Sequence, residues 1–206
     1  MIASKTDKLA FELKCMAEGA KYICGIDEVG RGPLAGPVTC TAIIMRLDDV
    51  IEGVDDSKKL SENKREELFE LILSHAVAVS TESLDNRVID KINILEATKR
   101  CMNAAICNLK IKPDVILSDA INLNVGIRCI PIIGGDGLSY TIGAASIIAK
   151  VLRDRLMRKY DEIYPEYDFK NNKGYGTKTH LDAIKRVGAS EIHRLTFLKK
   201  LLLENG

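Results

Sequence analysis

Two adjacent carboxylates, Asp27 and Glu28, close an apolar run and lead straight into Val29-Gly30-Arg31-Gly32-Pro33-Leu34-Ala35-Gly36-Pro37. Carboxylates supply the oxygen ligands that Mg²⁺ and similar hard cations take. The glycines let main chain approach a ligand closely, and Arg31 between them can reach a phosphate or carboxylate with a fork of donors. Two further acids are placed for the same work: Asp119 follows the apolar run 115–118, and Asp136 sits within Gly134-Gly135-Asp136-Gly137. Taken singly, these acids have plainer explanations: a solvated turn for the pair, and a turn former or helix cap for Asp119 and Asp136. A nucleotide-binding glycine loop is another alternative for the first segment. Such a loop opens a helix, whereas Pro33 and Pro37 lead into the strand-like run 38–45.

Side chains alternate along a strand, so Asp27 and Glu28 point to opposite faces unless the strand ends there and the backbone turns. The pattern predicts a strand over 22–26, a tight loop and a second strand over 38–45. Leu9, Leu13 and Met16 predict a short helix over 7–18, and Ser61 can cap a helix over 62–73 that precedes a strand over 76–81. A long helix is expected over 86–109, ended by Lys112-Pro113, followed by strands over 115–118 and 127–133. Further helices are expected over 140–160, 179–187 and 192–203. Three neighbouring strands followed by helix-linked ones imply an α/β sheet, partly antiparallel and partly parallel, with the helical tail as a lobe against it.

A chain of 206 residues with 46% hydrophobic and 29% charged content suits one globular domain, divided into a sheet-and-helix core over 1–160 and a lobe over 161–206. The six scattered cysteines contain no C-x-x-C pair and read as buried thiols of a reducing compartment. No apolar run reaches membrane-spanning length and the first residues mix charge into the apolar positions, so a cytoplasmic protein is expected. Net charge is +1, unevenly placed: residues 150–206 hold 13 Lys/Arg against 8 Asp/Glu, and the remainder 17 against 21. An acidic front with a basic tail fits a metal centre beside a phosphate-gripping surface, although solvated helix faces explain the tail almost as well. His75, His180 and His193 are far apart in sequence and form no zinc pattern.

The stretch 24–38 closely resembles the signature of the type 2 ribonucleases H, specifically the ribonuclease HII family. Asp56-Ser57-Lys58-Lys59-Leu60, Ile89-Asp90-Lys91-Ile92-Asn93-Ile94, Ala144-Ala145-Ser146-Ile147-Ile148-Ala149-Lys150, Arg153-Asp154-Arg155, Lys173-Gly174-Tyr175 and His193-Arg194-Leu195-Thr196-Phe197 resemble further family segments in the family's order. The resemblance implies a ribonuclease H-like mixed sheet flanked by helices, with a C-terminal helical lobe. It implies an endonuclease that cuts the RNA strand of RNA/DNA hybrids and cuts 5′ of ribonucleotides embedded in duplex DNA. Asp27, Glu28, Asp119 and Asp136 fall on its catalytic tetrad, which works with two divalent ions, Mg²⁺ or Mn²⁺. Four clustered carboxylates repel one another unless such cations neutralise them. Gly30-Arg31-Gly32 falls on the loop that contacts the nucleotide bearing the 2′-hydroxyl, and Tyr175 on the tyrosine that packs on the sugar at the RNA-to-DNA junction.

Lys58 and Lys173 are expected to contact substrate, although a solvated loop explains Lys58 equally well. Arg194 is given a structural role first and a phosphate contact second, while Tyr164, Tyr167 and Phe169 are assigned to a satellite core under a loop. The chain departs from the family at Gly134, where a lysine is usual, which predicts a missing cation beside the metal site. It departs also at Gly137 and at Ser118-Asp119-Ala120. The sister ribonuclease HIII is the nearest alternative, disfavoured because only about 20 residues precede the first strand. Two other readings are a hybrid-binding module without catalysis and a small-molecule phosphatase. A monomer without an evident protein partner is expected.

Overall fold

The computed structural model describes residues 7–204. Its five strands are β1 Ile23–Val29, β2 Val38–Met45, β3 Ala76–Leu84, β4 Val115–Asp119 and β5 Arg128–Ile132, in the order β3-β2-β1-β4-β5. β1, β2 and β3 pair antiparallel, and β1, β4 and β5 pair parallel, as the mixed pattern predicted. β2 is buried at every position and β1 over its first five residues, which is why Val38–Met45 reads as a nearly continuous apolar run. The helices are α1 Ala10–Ala17, α2 Glu62–His75, α3 Asn86–Ile92, α4 Ile94–Cys107, α5 Gly135–Leu138, α6 Tyr140–Ile163, α7 Phe169–Asn172, α8 Lys178–Val187 and α9 Leu195–Glu204.

Helix α4 covers one face of the sheet, with Cys101, Met102 and Ile106 against Cys24, Ile26 and Cys40. Helices α6 and α2 cover the other, with Ala144, Ile147 and Ile148 against Ile43, Leu68 and Ile72. α6 can lie this close to β1 because of Gly25: a Cβ there would stand 2.2 Å from the carbonyl carbon of Thr141. Glu12 of α1, fully buried, anchors the same helix end by accepting from the Ser139 hydroxyl (2.6 Å), the Thr141 amide (3.0 Å) and the Thr141 hydroxyl (3.0 Å). A carboxylate suits the electropositive N-terminus of a helix.

Several boundaries differ from expectation. β1 continues through Asp27 and Glu28, which pair in register with Thr41 and Cys40, so the strand does not end before the acids. The long helix over 86–109 is two helices, because Asn93 adopts φ 66° and its side chain caps α4 by accepting from the Glu96 amide at 3.1 Å. Asn followed three residues later by Glu is the local signal for this break. Cys107 is exposed and Cys129 half-buried, while the other four cysteines are buried as expected. After α6 the chain forms a satellite core in which Tyr167 and Phe169 stack at 5.3 Å, with Tyr164 packed beside it. Among the described residues no helix is long and apolar enough to cross a membrane.

Candidate active site

Parallel pairing of β1 with β4 sets Ile26 opposite Ser118, so Asp27 and Asp119 leave neighbouring strands at the same sheet end. Asp119 reaches the glycine turn after β5, where its Oδ1 accepts from the Gly135 amide at 2.9 Å. That bond holds Asp136, the second residue of α5, beside Asp119. Glu28 follows Asp27 on the opposite side of β1, and Arg31 Nη1 donates to its Oε1 at 3.2 Å. The structure therefore gathers the four predicted acids at one end of the sheet.

Burial sets their electrostatics. Asp27 is 4% exposed, and burial, followed by the charges of Glu28 and Asp119, holds its carboxyl well above the usual range. Burial likewise raises Glu28 and Asp119. Glu28 Oε2 is buried without a hydrogen-bond partner. An all-oxygen donor set with an orphaned buried carboxylate oxygen fits a hard divalent cation. No three His, Cys, Asp or Glu among the described residues are yet gathered tightly enough to hold one ion. Two of the four acids are instead engaged by cations, Glu28 by Arg31 and Asp136 by Lys58.

Lys58 corrects one expectation. Its Nζ donates to Asp136 Oδ2 at 3.1 Å, so a cation does stand beside the site, supplied by the 57–59 turn rather than by position 134. Arg194 takes the structural role expected first, and only the phosphate contact expected second is corrected, because the side chain is fully buried. Its Nε donates to Gly36 O (3.0 Å), Nη1 to Arg31 O (2.9 Å) and Nη2 to the carbonyls of Gly30 (2.5 Å) and Gly36 (2.9 Å). Arg153, 1% exposed, does the same on the other side, donating to Pro37 O, Ala35 O and Lys173 O at 3.0, 3.2 and 2.9 Å. Between them the two guanidiniums shape the glycine loop. Gly30, at φ +93°, has no room for a Cβ, which would meet Arg153 Nε at 2.2 Å. Sequence reasoning missed Arg153 as a scaffold for this loop.

Gly32 and Arg31 are exposed, and Tyr175 is 45% exposed beside them. A Cβ on Gly32 would stand 3.4 Å from Tyr175 Cε1. Lys173 is half-buried at φ 51°, and its ammonium turns back to the Lys170 carbonyl. The histidines once separated in sequence also meet: His180 and His193 are buried and hydrogen-bonded at 2.9 Å.

A mixed five-stranded sheet with acids collected at one end defines the chain as a ribonuclease H by fold. The ribonuclease H2 of Pyrococcus horikoshii OT3 superposes with a TM-score of 0.71 at 28% identity, covering 85% of this chain and 93% of that one. The ribonuclease HII of Archaeoglobus fulgidus, solved in complex with PCNA, gives 0.74 at 26%, covering 85% and 94%. The family profile described as Ribonuclease HII matches residues 24–200, and the chain belongs to that family. The ribonuclease HII of Acholeplasma laidlawii (strain PG-8A) is 54% identical over 191 residues, 93% of this chain and 94% of that protein. The chain is accordingly a divalent-metal-dependent endoribonuclease of a family that cleaves the RNA of RNA/DNA hybrids.

Proposed function

We propose that this chain, beyond cutting hybrids, hydrolyses the phosphodiester 5′ of a ribonucleotide embedded in duplex DNA and leaves a 3′-hydroxyl. The observation that carries the reading is the adjacency of three parts: the four acids, the exposed Gly-Arg-Gly loop that begins two residues after Asp27-Glu28, and the Tyr175 ring against Gly32. Asp27, Glu28, Asp119 and Asp136 would hold two ions, Mg²⁺ or Mn²⁺. Bound there, such ions activate a water and stabilise the departing oxyanion. The chain's own groups select the sugar. Arg194 occupies the carbonyls of Gly30 and Arg31, so the loop presents its amide N–H groups to the 2′-hydroxyl, the group that separates RNA from DNA. Tyr175 packs on the following deoxyribose. Arg31, now paired with Glu28, turns to a substrate phosphate, Lys58 meets one from its place beside Asp136, and Lys173 adds positive charge at the same edge. The unit acts as a single cytoplasmic catalytic domain and as a monomer.

A cleavage map on a DNA duplex with one ribonucleotide tests this. A single cut 5′ of the ribonucleotide, dependent on Mg²⁺ or Mn²⁺, with all-DNA duplex untouched, is expected. Cutting of the all-DNA duplex, or hydrolysis of a generic phosphate ester in place of oligonucleotides, would overturn it.

A further inference from the structure

His180 and His193 form one directed chain of hydrogen bonds. His193 Nδ1 receives the Ser190 amide at 2.9 Å, and an amide N–H can only donate, so this nitrogen is an acceptor. The neutral ring then carries its proton on Nε2, 2.9 Å from His180 Nε2. His180 must accept there, which puts its own proton on Nδ1, 2.8 Å from the Tyr175 carbonyl. Only one pair of tautomers satisfies all three contacts. The chain runs from Ser190 N–H through both imidazoles to the main chain of Tyr175, whose carbonyl also accepts from the Thr177 amide at 2.8 Å.

We infer that His180 and His193 are positioning residues for junction recognition, fixing the main chain of Tyr175 so that its exposed ring stands at the edge of the Gly-Arg-Gly loop. The inference rests on the reading of Tyr175 as the deoxyribose contact. His193 is directly followed by Arg194, which grips Gly30, Arg31 and Gly36, so one short segment ties both arms of the sugar-reading surface together. The rings around the pair are apolar: Tyr167 lies 4.9 Å from His193, and Phe169 5.3 Å from His180.

The relay needs both imidazoles neutral. The 3₁₀ turn at 165–167 and α7 face the pair with Tyr167 and Phe169, and the surrounding satellite core draws Met157 and Tyr160 from α6 and Ala183 and Ile184 from α8. Asp182 and Glu191 on the adjoining segments are exposed, and Arg194, next in sequence to His193, is buried against Gly30, Arg31 and Gly36. Among the described residues no carboxylate is hydrogen-bonded to either imidazole. Burial, then His180, pushes His193 down to about 4, and burial lowers His180.

Four variants and one spectrum test the inference. His180→Phe keeps an aromatic ring and breaks the relay. His180→Asn keeps an amide donor near the Nδ1 position. The ratio of junction cleavage to uniform-hybrid cleavage should fall about fivefold or more in His180→Phe, the scale of a lost base or sugar stack. It should be largely restored in His180→Asn, with both variants melting at similar temperatures. In a Tyr175→Ala background, His180→Phe should lower the ratio no further. Equal losses on both substrates tracking the melting temperature, or independent additive losses, would overturn the positioning role. A Tyr175→Ala protein with unchanged selectivity would sink the sugar reading and this inference with it, whereas a Tyr175 effect without a His180 effect sinks this inference alone. ¹⁵N spectra of the wild-type imidazoles near neutral pH need no variant to fold. They should show the Nε2–H tautomer for His193 and Nδ1–H for His180, and the opposite tautomers would refute the relay.

Discussion

The acid cluster and the arginine scaffold behind the glycine loop handle buried charge in opposite ways. Around Arg153 and Arg194 every guanidinium nitrogen meets a backbone carbonyl, and all of those carbonyls except that of Lys173 belong to the glycine loop. Around Asp27 and Glu28 like charges are buried together, one carboxylate oxygen has no partner, and three carboxyls sit above their usual range. Satisfied polar groups give rigidity, whereas unsatisfied ones give up stability and leave binding capacity for a cation.

The contrast is broken most severely by Asp27→Asn. Cleavage of an RNA/DNA hybrid should fall by about two orders of magnitude or more, as expected for removal of a group that places transition-state charge stabilisation, while hybrid binding in a filter or anisotropy assay stays near wild type. Hydrolysis near the wild-type rate would show that Asp27 is not part of the centre. The same variant should be more stable than wild type without metal, by about 1 to 3 kcal/mol, since an uncompensated buried charge is gone. The pH dependence has a definite sign. Carboxyls raised in the folded state bind protons before the unfolded chain does, so metal-free stability falls as pH rises through the window above the ordinary Asp value of about 4. Urea midpoints in chelator from about pH 4 to 8 should show a shallower fall for Asp27→Asn.

Arg194→Ala attacks the opposite region. Leaving the carbonyls of Gly30, Arg31 and Gly36 without their donor should cost about 3 kcal/mol or more in unfolding free energy and depress cleavage of every substrate together. A phosphate contact alone would predict weaker binding with unchanged stability. The smallest effect is expected at Gly134. With Lys58 already on Asp136, Gly134→Lys should leave the Mg²⁺ requirement within about twofold, while the positive φ of 69° costs the variant about 1 kcal/mol. A large drop in the Mg²⁺ needed would mean that Lys58 does not do the work of the missing lysine.

Much of this arrangement is legible along the chain. The mixed pairing of the sheet and the satellite core of Tyr167 and Phe169 follow from short-range patterns, whereas the four acids stand out at run ends and a glycine turn and are singled out by the family resemblance. Asn93 was legible in principle through Glu96, but the apolar face runs on across residues 86–109 and masks the break. Arg194 and the histidine pair are different in kind. A structural role is expected for Arg194, yet nothing near it reveals that its acceptors lie 158 to 164 positions away. Lys58 and Asp136 are likewise 78 positions apart. The scaffold exists only as a product of tertiary folding, whereas the acids are marked by the family motifs that surround them.

Those separations also impose an order in time. At synthesis rates of about 5 to 20 residues per second, the glycine loop leaves the ribosome roughly 10 to 30 seconds before Arg194 does. During that interval the carbonyls of Gly30, Arg31 and Gly36 have only water to bond. A nascent chain can pair its first three strands and bury their apolar faces, yet the glycine loop stays without its guanidinium until residue 194 arrives. A chain stalled before residue 194 would carry all four acids and still lack the guanidinium that joins Gly30, Arg31 and Gly36.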